Sequence, residues 1–120
     1  MQYVALIHAD EGAWEALSDD ERQQAYAGYM QLSTDARAAG VMVDGNELAP
    51  TAVATTVRVE DGQTIVTDGP YAEIKEALGG YYVFDCASFD EACEWASRIP
   101  AATTGAIEVR PVHVDEGAAS

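Results

Sequence analysis

The stretch from Thr67 to Gly80, TDGPYAEIKEALGG, concentrates side chains that are able to move protons. Its ionisable members are Asp68, Glu73, Lys75 and Glu76. Carboxylates serve as general acids and bases, and a neighbouring lysine can hold an anionic group. The order Asp, Gly, Pro is equally typical of a turn in which the Asp side chain accepts backbone N–H bonds. The stretch is therefore either an active-site loop or a capped connection between two elements.

Three further candidates lie near the ends of the chain. His8 closes the first predicted strand, and Glu108 and Arg110 are two positions apart in the last one. Side chains at i and i+2 of a strand share a face, so Glu108 and Arg110 lie side by side. The structural alternatives are a Glu108–Arg110 pair at the rim and a backbone hydrogen bond for His8.

These residues suggest an enzyme that acts on a small organic molecule by carboxylate acid/base chemistry. Its catalytic candidates are Asp68, Glu73 and His8. Its ligand-binding candidates are Lys75, Tyr29, Tyr81, Glu108 and Arg110. A second hypothesis is a non-catalytic module that binds a ligand or a regulatory protein in the same place, and a third is a stable dimer with no site.

The cysteines and histidines form no metal or redox motif. Cys86 and Cys93 are not in CxxC spacing, and His8 and His113 lie at opposite ends of the chain. Metal sites and redox pairs need such residues close together. We therefore predict neither a metal ion nor a bound cofactor.

Charge and composition restrict the class of protein. The 120 residues carry a formal charge of −15 with six Lys and Arg in total, which disfavours nucleic acid and anionic membrane surfaces as partners. No apolar run is long enough for a membrane span, and the amino terminus lacks the basic region of a signal peptide. We expect a cytoplasmic protein with one domain over residues 1–112 and a polar tail over 113–120, disordered from Asp115 onward.

Hydrophobic periodicity predicts the order strand, helix, strand, hairpin, strand, helix, strand. Ser18 and Glu21 form a capping box before the first helix, and Asp61-Gly62 is a strong hairpin turn signal. A short extra helix is expected over Ala72 to Leu78, with Asp68 near its start. This order predicts an α+β fold, a ferredoxin-like βαββαβ unit with an inserted hairpin.

Both faces of the central strands are apolar. In the first strand Tyr3 and Ile7 lie on one side and Val4 and Leu6 on the other. The two long helices of this fold cover a single face, so the second face would form an exposed apolar patch. We therefore expect a homodimer whose two sheets enclose a barrel-like core, with a ligand cleft at the interface. The alternative is a monomer whose second face is covered by the 61–78 segment.

Six linked segments between residues 1 and 112 form a recognisable set: MQYVALIHADEGAW, LSDDER, ARAAGV, VTDGPYAEIKEALGGYYVFDC, DEACEWASRIPAA and IEVRPV. Together they resemble the YCII-related, DGPF-motif family of small bacterial proteins. Tyr71 stands where the name of the motif implies Phe, a change that keeps the ring and adds a hydroxyl.

The resemblance implies a dimeric α/β barrel, in a superfamily that includes muconolactone-isomerase-like enzymes and heme- or quinone-handling monooxygenases. In the YCII branch a His on the first helix and an Asp are proposed as an active-site pair. The predicted first helix here, Asp19 to Ala39, contains no histidine, so that pair is not carried over. The resemblance also implies an association with extracytoplasmic-function sigma factors.

Overall fold

The computed structural model describes residues 1–114, in which the strands and the two long helices follow the predicted order. The predicted disordered segment from Asp115 to Ser120 lies outside the described residues. The elements are β1 (Gln2–Asp10), α1 (Glu11–Glu15), α2 (Asp19–Ala38), β2 (Met42–Glu47), β3 (Thr55–Glu60), β4 (Gln63–Asp68), β5 (Glu76–Asp85), α3 (Phe89–Ser97) and β6 (Ala106–Pro111), with 3-10 turns at Thr51–Val53 and Pro100–Thr103.

The long helix α2 begins at the predicted capping box. The Ser18 hydroxyl accepts a hydrogen bond from the Glu21 N–H at 3.1 Å, and the Glu21 carboxylate accepts one from the Ser18 N–H at 3.1 Å. These bonds hold the pKa of Glu21 below its usual value. The chain leaves the helix through Gly40, whose φ of +74° is a conformation that favours glycine.

The four-stranded sheet is antiparallel throughout, in the order β2-β5-β1-β6. This is the ferredoxin-like arrangement, so the predicted α+β fold is confirmed. The strand β1 is central because it pairs with β5 on one side and β6 on the other. Any side chain on β1 is therefore held by two neighbouring strands.

Helices α2 and α3 cover one face of this sheet and form the core with it. Phe84 is 1% exposed and stacks on Tyr82, with their ring centroids 5.4 Å apart. Small residues bring the helices close to the sheet, since Ala36 of α2 and Ala92 of α3 are fully buried. The core on this face comprises Tyr3, Ala5, Ile7, Leu32, Ala36, Val41, Tyr82, Phe84, Cys86, Ala92, Ala96, Ile99 and Ala101.

The predicted hairpin forms a separate two-stranded sheet of β3 and β4, residues 55–68, which we call the arm. Its turn residues Asp61 and Gly62 have φ values of 50° and 77°, as a two-residue hairpin turn requires. At its root, the Glu11 carboxylate accepts hydrogen bonds from the N–H and hydroxyl of Thr51 at 2.9 and 2.8 Å. The start of α1 thus fixes where the arm leaves the body.

The expected helix over Ala72 to Leu78 is wrong. Residues 70–75 are irregular, and β5 already begins at Glu76. Glu76 and Leu78 pair with Asp10 and His8 of β1, and this pairing outweighs the local helical preference. Asp68 accordingly ends β4 rather than capping a helix.

None of the helices within residues 1–114 has the length and apolar character that crossing a membrane requires.

An ion pair ties the two long helices together on the surface. Arg98, just beyond α3, donates to the Asp35 carboxylate of α2. Gln31 donates to the same carboxylate at 2.9 Å. The Arg98 hydrogen bond first, and the Gln31 bond second, hold the pKa of Asp35 below its usual 3.8.

Replacement of Asp35 by Asn is expected to make stability less dependent on acid pH. A depressed folded-state pKa stabilises the fold above the unfolded value and loses that effect as pH falls through the folded value. The difference in free energy of unfolding between wild type and Asp35→Asn should therefore be constant at neutral pH and shrink below about pH 4. Urea unfolding at a series of pH values measures it, with Glu94→Gln on α3 as the control for loss of one charge. A difference that does not shrink between pH 4 and pH 2 would contradict the assignment.

Candidate functional site

The sheet face away from the helices carries four of the eight predicted site residues, His8, Tyr81, Glu108 and Arg110, and we call it the open face. On β1 the odd residues Tyr3 and Ile7 are buried in the core, whereas Val4 and Leu6 are half-buried on the other side. Two rows of paired residues cross this face: Asn46, Tyr81, Leu6 and Glu108 in one, and Asp44, Val83, Val4 and Arg110 in the other. Its centre is apolar and its flanks are polar.

A histidine–carboxylate pair lies at one end of the open face. His8 Nε2 is 3.2 Å from Glu108 Oε1, and the His8 side chain is 26% exposed. The carboxylate of Glu108 thus contacts His8 rather than its neighbour Arg110. A carboxylate in this position orients the imidazole, as in general acid/base sites.

The backbone around His8 is tightly packed. A β-bulge at Gly79 shifts the β1–β5 register between Ile7 and His8. On the other side, a Cβ atom on Gly105 would lie 2.2 Å from the His8 carbonyl oxygen, so only glycine fits there. Bulges of this kind redirect side chains near functional sites. The position of His8 is thus fixed from both neighbouring strands.

His8 opens into a depression of about 680 Å³ at the carboxyl end of β1, which we call the β1-end depression. One oxygen of Asp10 caps α1 by accepting from the Gly12 N–H at 2.9 Å and the Ala13 N–H at 3.3 Å. The other oxygen is 4.0 Å from Lys75 Nζ. The lining includes His8, Asp10, Ile74, Lys75, Glu76 and Ala106.

The structure separates the other two catalytic candidates from His8. Asp68 is exposed at the end of the arm strand β4, opposite Thr55. Glu73 lines a second, smaller depression of about 540 Å³ with Thr51 and Pro70. Lys75, which was predicted to bind ligand, lines the same depression as His8.

The two tyrosines predicted to line one pocket lie on opposite faces of the sheet. The Tyr81 hydroxyl is on the open face, where it donates to Asp44 Oδ2 at 3.1 Å and accepts from Asn46 Nδ2 at 3.0 Å. Tyr29 packs against the core on the helix-covered face. Burial there, with Tyr82 nearby, raises the pKa of Tyr29.

Three polar residues of the site were not predicted from the sequence: Asp10, Asp44 and Asn46. Asp44 and Asn46 carried a usable signal, because alternation along β2 places both on one face. Glu76 was named among the ionisable residues of the 67–80 stretch, but its position beside Asp10 depends on the pairing of β1 with the start of β5, which local sequence did not reveal. Within residues 1–114, no group of three His, Cys, Asp or Glu side chains is arranged to hold a metal ion.

Comparison with known proteins gives a consistent match along the whole described chain. The sequence model of the YCII-related domain matches residues 1–114. An uncharacterized protein of Rhizobium meliloti (strain 1021) is 40% identical over 114 residues, which cover 93% of this chain and 92% of that protein.

Replacement of Gly105 by Ala is expected to displace the end of β1 and to destabilise the protein. The added methyl group overlaps the His8 carbonyl, and overpacking of this kind costs about 2 kcal/mol. Gly79→Ala is the matched control, because its nearest neighbour, the Ile7 carbonyl oxygen, lies 4.0 Å from the added carbon. Chemical denaturation and the amide shifts of residues 7–10 measure both effects. Equal, small effects of the two substitutions would contradict the close approach.

Proposed function

This chain belongs to the YCII-related family, and we propose that it is a cytoplasmic homodimer that acts on a small organic molecule in the β1-end depression. The observation that carries the proposal is the His8–Glu108 pair, 3.2 Å apart, at the margin of a depression that also presents Lys75. This combination supplies a proton-transfer group and a cation for one ligand. Convergent polar groups in a concave site are the usual mark of a small-molecule site.

The roles of the three residues follow from their chemistry. The His8 imidazole is the general base or acid, because imidazole transfers protons readily near neutral pH. Glu108 orients the ring and stabilises the imidazolium that forms. Lys75 binds an anionic group of the substrate, and its ammonium lies 4.0 Å from Asp10 at the depression. The reaction class is proton abstraction or return next to a carbonyl or carboxylate group.

The homodimer is supported by the apolar centre of the open face. Val4, Leu6 and Val83 lie together there, and helices α2 and α3 are both on the opposite side. A second copy placed on this face removes the patch from water and adds a wall to the site. Lower local dielectric would then strengthen the His8–Glu108 interaction.

A non-catalytic binding protein would use the same residues. Conversion of a bound compound to product would distinguish an enzyme from such a protein. The regulatory association with an extracytoplasmic-function sigma factor remains a prediction that the resemblance implies.

Binding of small carboxylates or keto acids is expected to involve His8 and Lys75. In a screen of such compounds by two-dimensional NMR, hits should shift the amides of residues 8–10 and 74–76. His8→Ala and Lys75→Ala should each weaken binding at least roughly tenfold, the loss of one good polar contact. His113→Ala is the control, since it removes the other histidine. Hits that perturb only the helix-covered side would contradict the site.

For any compound that is converted, Glu108→Gln should lower kcat by roughly 100-fold, because His8 loses the carboxylate that orients it and acid/base catalysis contributes at least that much. Because Lys75 still binds the anionic group, KM should change little. A variant with unchanged kcat and raised KM would assign Glu108 to binding and would contradict its role beside His8.

A further inference from the structure

The arm presents an apolar face that the rest of its own chain does not cover. Alternation and the β3–β4 register place Val57, Val59 and Val66 on one side of the hairpin. These three valines are 60%, 68% and 62% exposed. The other side is more polar and contains Arg58, whose guanidinium lies 5.0 Å from the centre of the Tyr71 ring. The hairpin is therefore amphipathic, and its apolar side has no partner within residues 1–114.

Such a hairpin requires external support. A two-stranded sheet in water is marginally stable, and it gains stability when one face packs against another element. The root is held by the Glu11–Thr51 bonds, whereas every residue of β4 and all but one of β3 is exposed. The radius of gyration of 16.6 Å exceeds the about 14 Å expected for a compact chain of this length. The arm thus stands away from the body.

We propose that the apolar face of the arm packs against a second copy of this chain and extends the contact made by the open face. The proposal rests on the homodimer of the proposed function and adds a defined surface to it. In a symmetric pair the arm of each copy would contact the same surface of the other copy, as an isologous interface requires.

The area of the open face favours a second copy of this chain as the partner of the arm. The four strands β2, β5, β1 and β6 have 6, 10, 9 and 6 residues and span roughly 500 Å² in plan, below the about 800 Å² that each partner of a stable interface buries. The two strands of the arm add roughly 200 Å². The open face and the arm together therefore approach the area of a stable dimer, which the open face alone does not.

Charge distribution also permits contact between two copies. A net charge of −15 opposes self-association in general. The apolar face of the arm nevertheless consists of valines and threonines, with Asp68 as its one charged residue, at the base. The centre of the open face, with Val4, Leu6 and Val83, is uncharged as well. Two copies can therefore bring the centres of these surfaces together without opposing like charges, because Asp44, Glu108 and Arg110 lie at the flanks of the open face.

Docking of the arm would also complete the ligand site. The segment from Gly69 to Lys75 runs directly from the arm into the β1-end depression. The Lys75 side chain is 85% exposed, and its one approach to a carboxylate, 4.0 Å from Asp10, is too long and too exposed to fix it. Fixing the arm on the second copy would order this segment and with it the position of Lys75.

The test is sedimentation equilibrium on the triple variant Val57→Thr, Val59→Thr and Val66→Thr. Threonine has the shape of valine and a high strand propensity, so the arm itself should still form. We expect a dimer dissociation constant raised at least roughly 100-fold over wild type. The control is Glu60→Gln with Gln63→Glu, which keeps the net charge and alters the opposite face of the arm. Its dissociation constant should equal that of wild type.

A photo-crosslink provides a measurement that does not depend on weakening the dimer. A p-benzoylphenylalanine at position 59, in refolded mixtures of ¹⁴N- and ¹⁵N-labelled protein, should give crosslinks between differently labelled chains. A folded triple variant with a wild-type dissociation constant, or crosslinks confined to one chain of a dimer, would overturn the arm contact and leave the homodimer intact. A monomeric wild type at 100 μM concentration would overturn the homodimer itself, and the arm contact with it.

Discussion

The rest of this structure depends on one constraint: the β-sheet is apolar on both faces, but the helices cover only one of them. Burial of apolar area stabilises a protein by about 25 cal/mol per Å², so an uncovered face forgoes a large contribution. On the covered side Phe84 and Ala92 are almost completely buried. On the open side Leu6 and Val83 are half-buried by their neighbours alone. The proposed dimer and the proposed ligand site are both consequences of this asymmetry.

The strand β1 contributes side chains to both faces of the sheet and so couples their positions. Its odd residues, such as Ile7, belong to the core, and the next residue, His8, belongs to the site. Because alternate side chains share one backbone, the packing of Ile7 fixes the position of His8. The close approach of Gly105 and the bulge at Gly79 hold the same backbone from the neighbouring strands. The site therefore inherits the rigidity of the core, whereas Lys75, on an irregular segment, does not.

Sequence reasoning predicted the elements that depend on local signals. The capping box at Ser18 and the Asp61-Gly62 turn act within a few residues, and both have the expected geometry. The 72–78 helix failed because pairing of Glu76 with Asp10, 66 positions away, outweighs a local preference. For the same reason the contact between His8 and Glu108 was not foreseen, although both residues were candidates. The spacing of residues along the chain does not show which distant strands pair with each other.

The most direct test of the central claim is the solvent exposure of methyl groups on the open face. Methyl NMR with a soluble paramagnetic agent reports exposure residue by residue, with buried Leu32 and exposed Met30 of α2 as internal references. If a second copy covers the face, the methyl signals of Val4, Leu6 and Val83 should be as protected as that of Leu32. Attenuation between those of Leu32 and Met30, unchanged from micromolar to millimolar protein, would show a face open to water and would contradict the account.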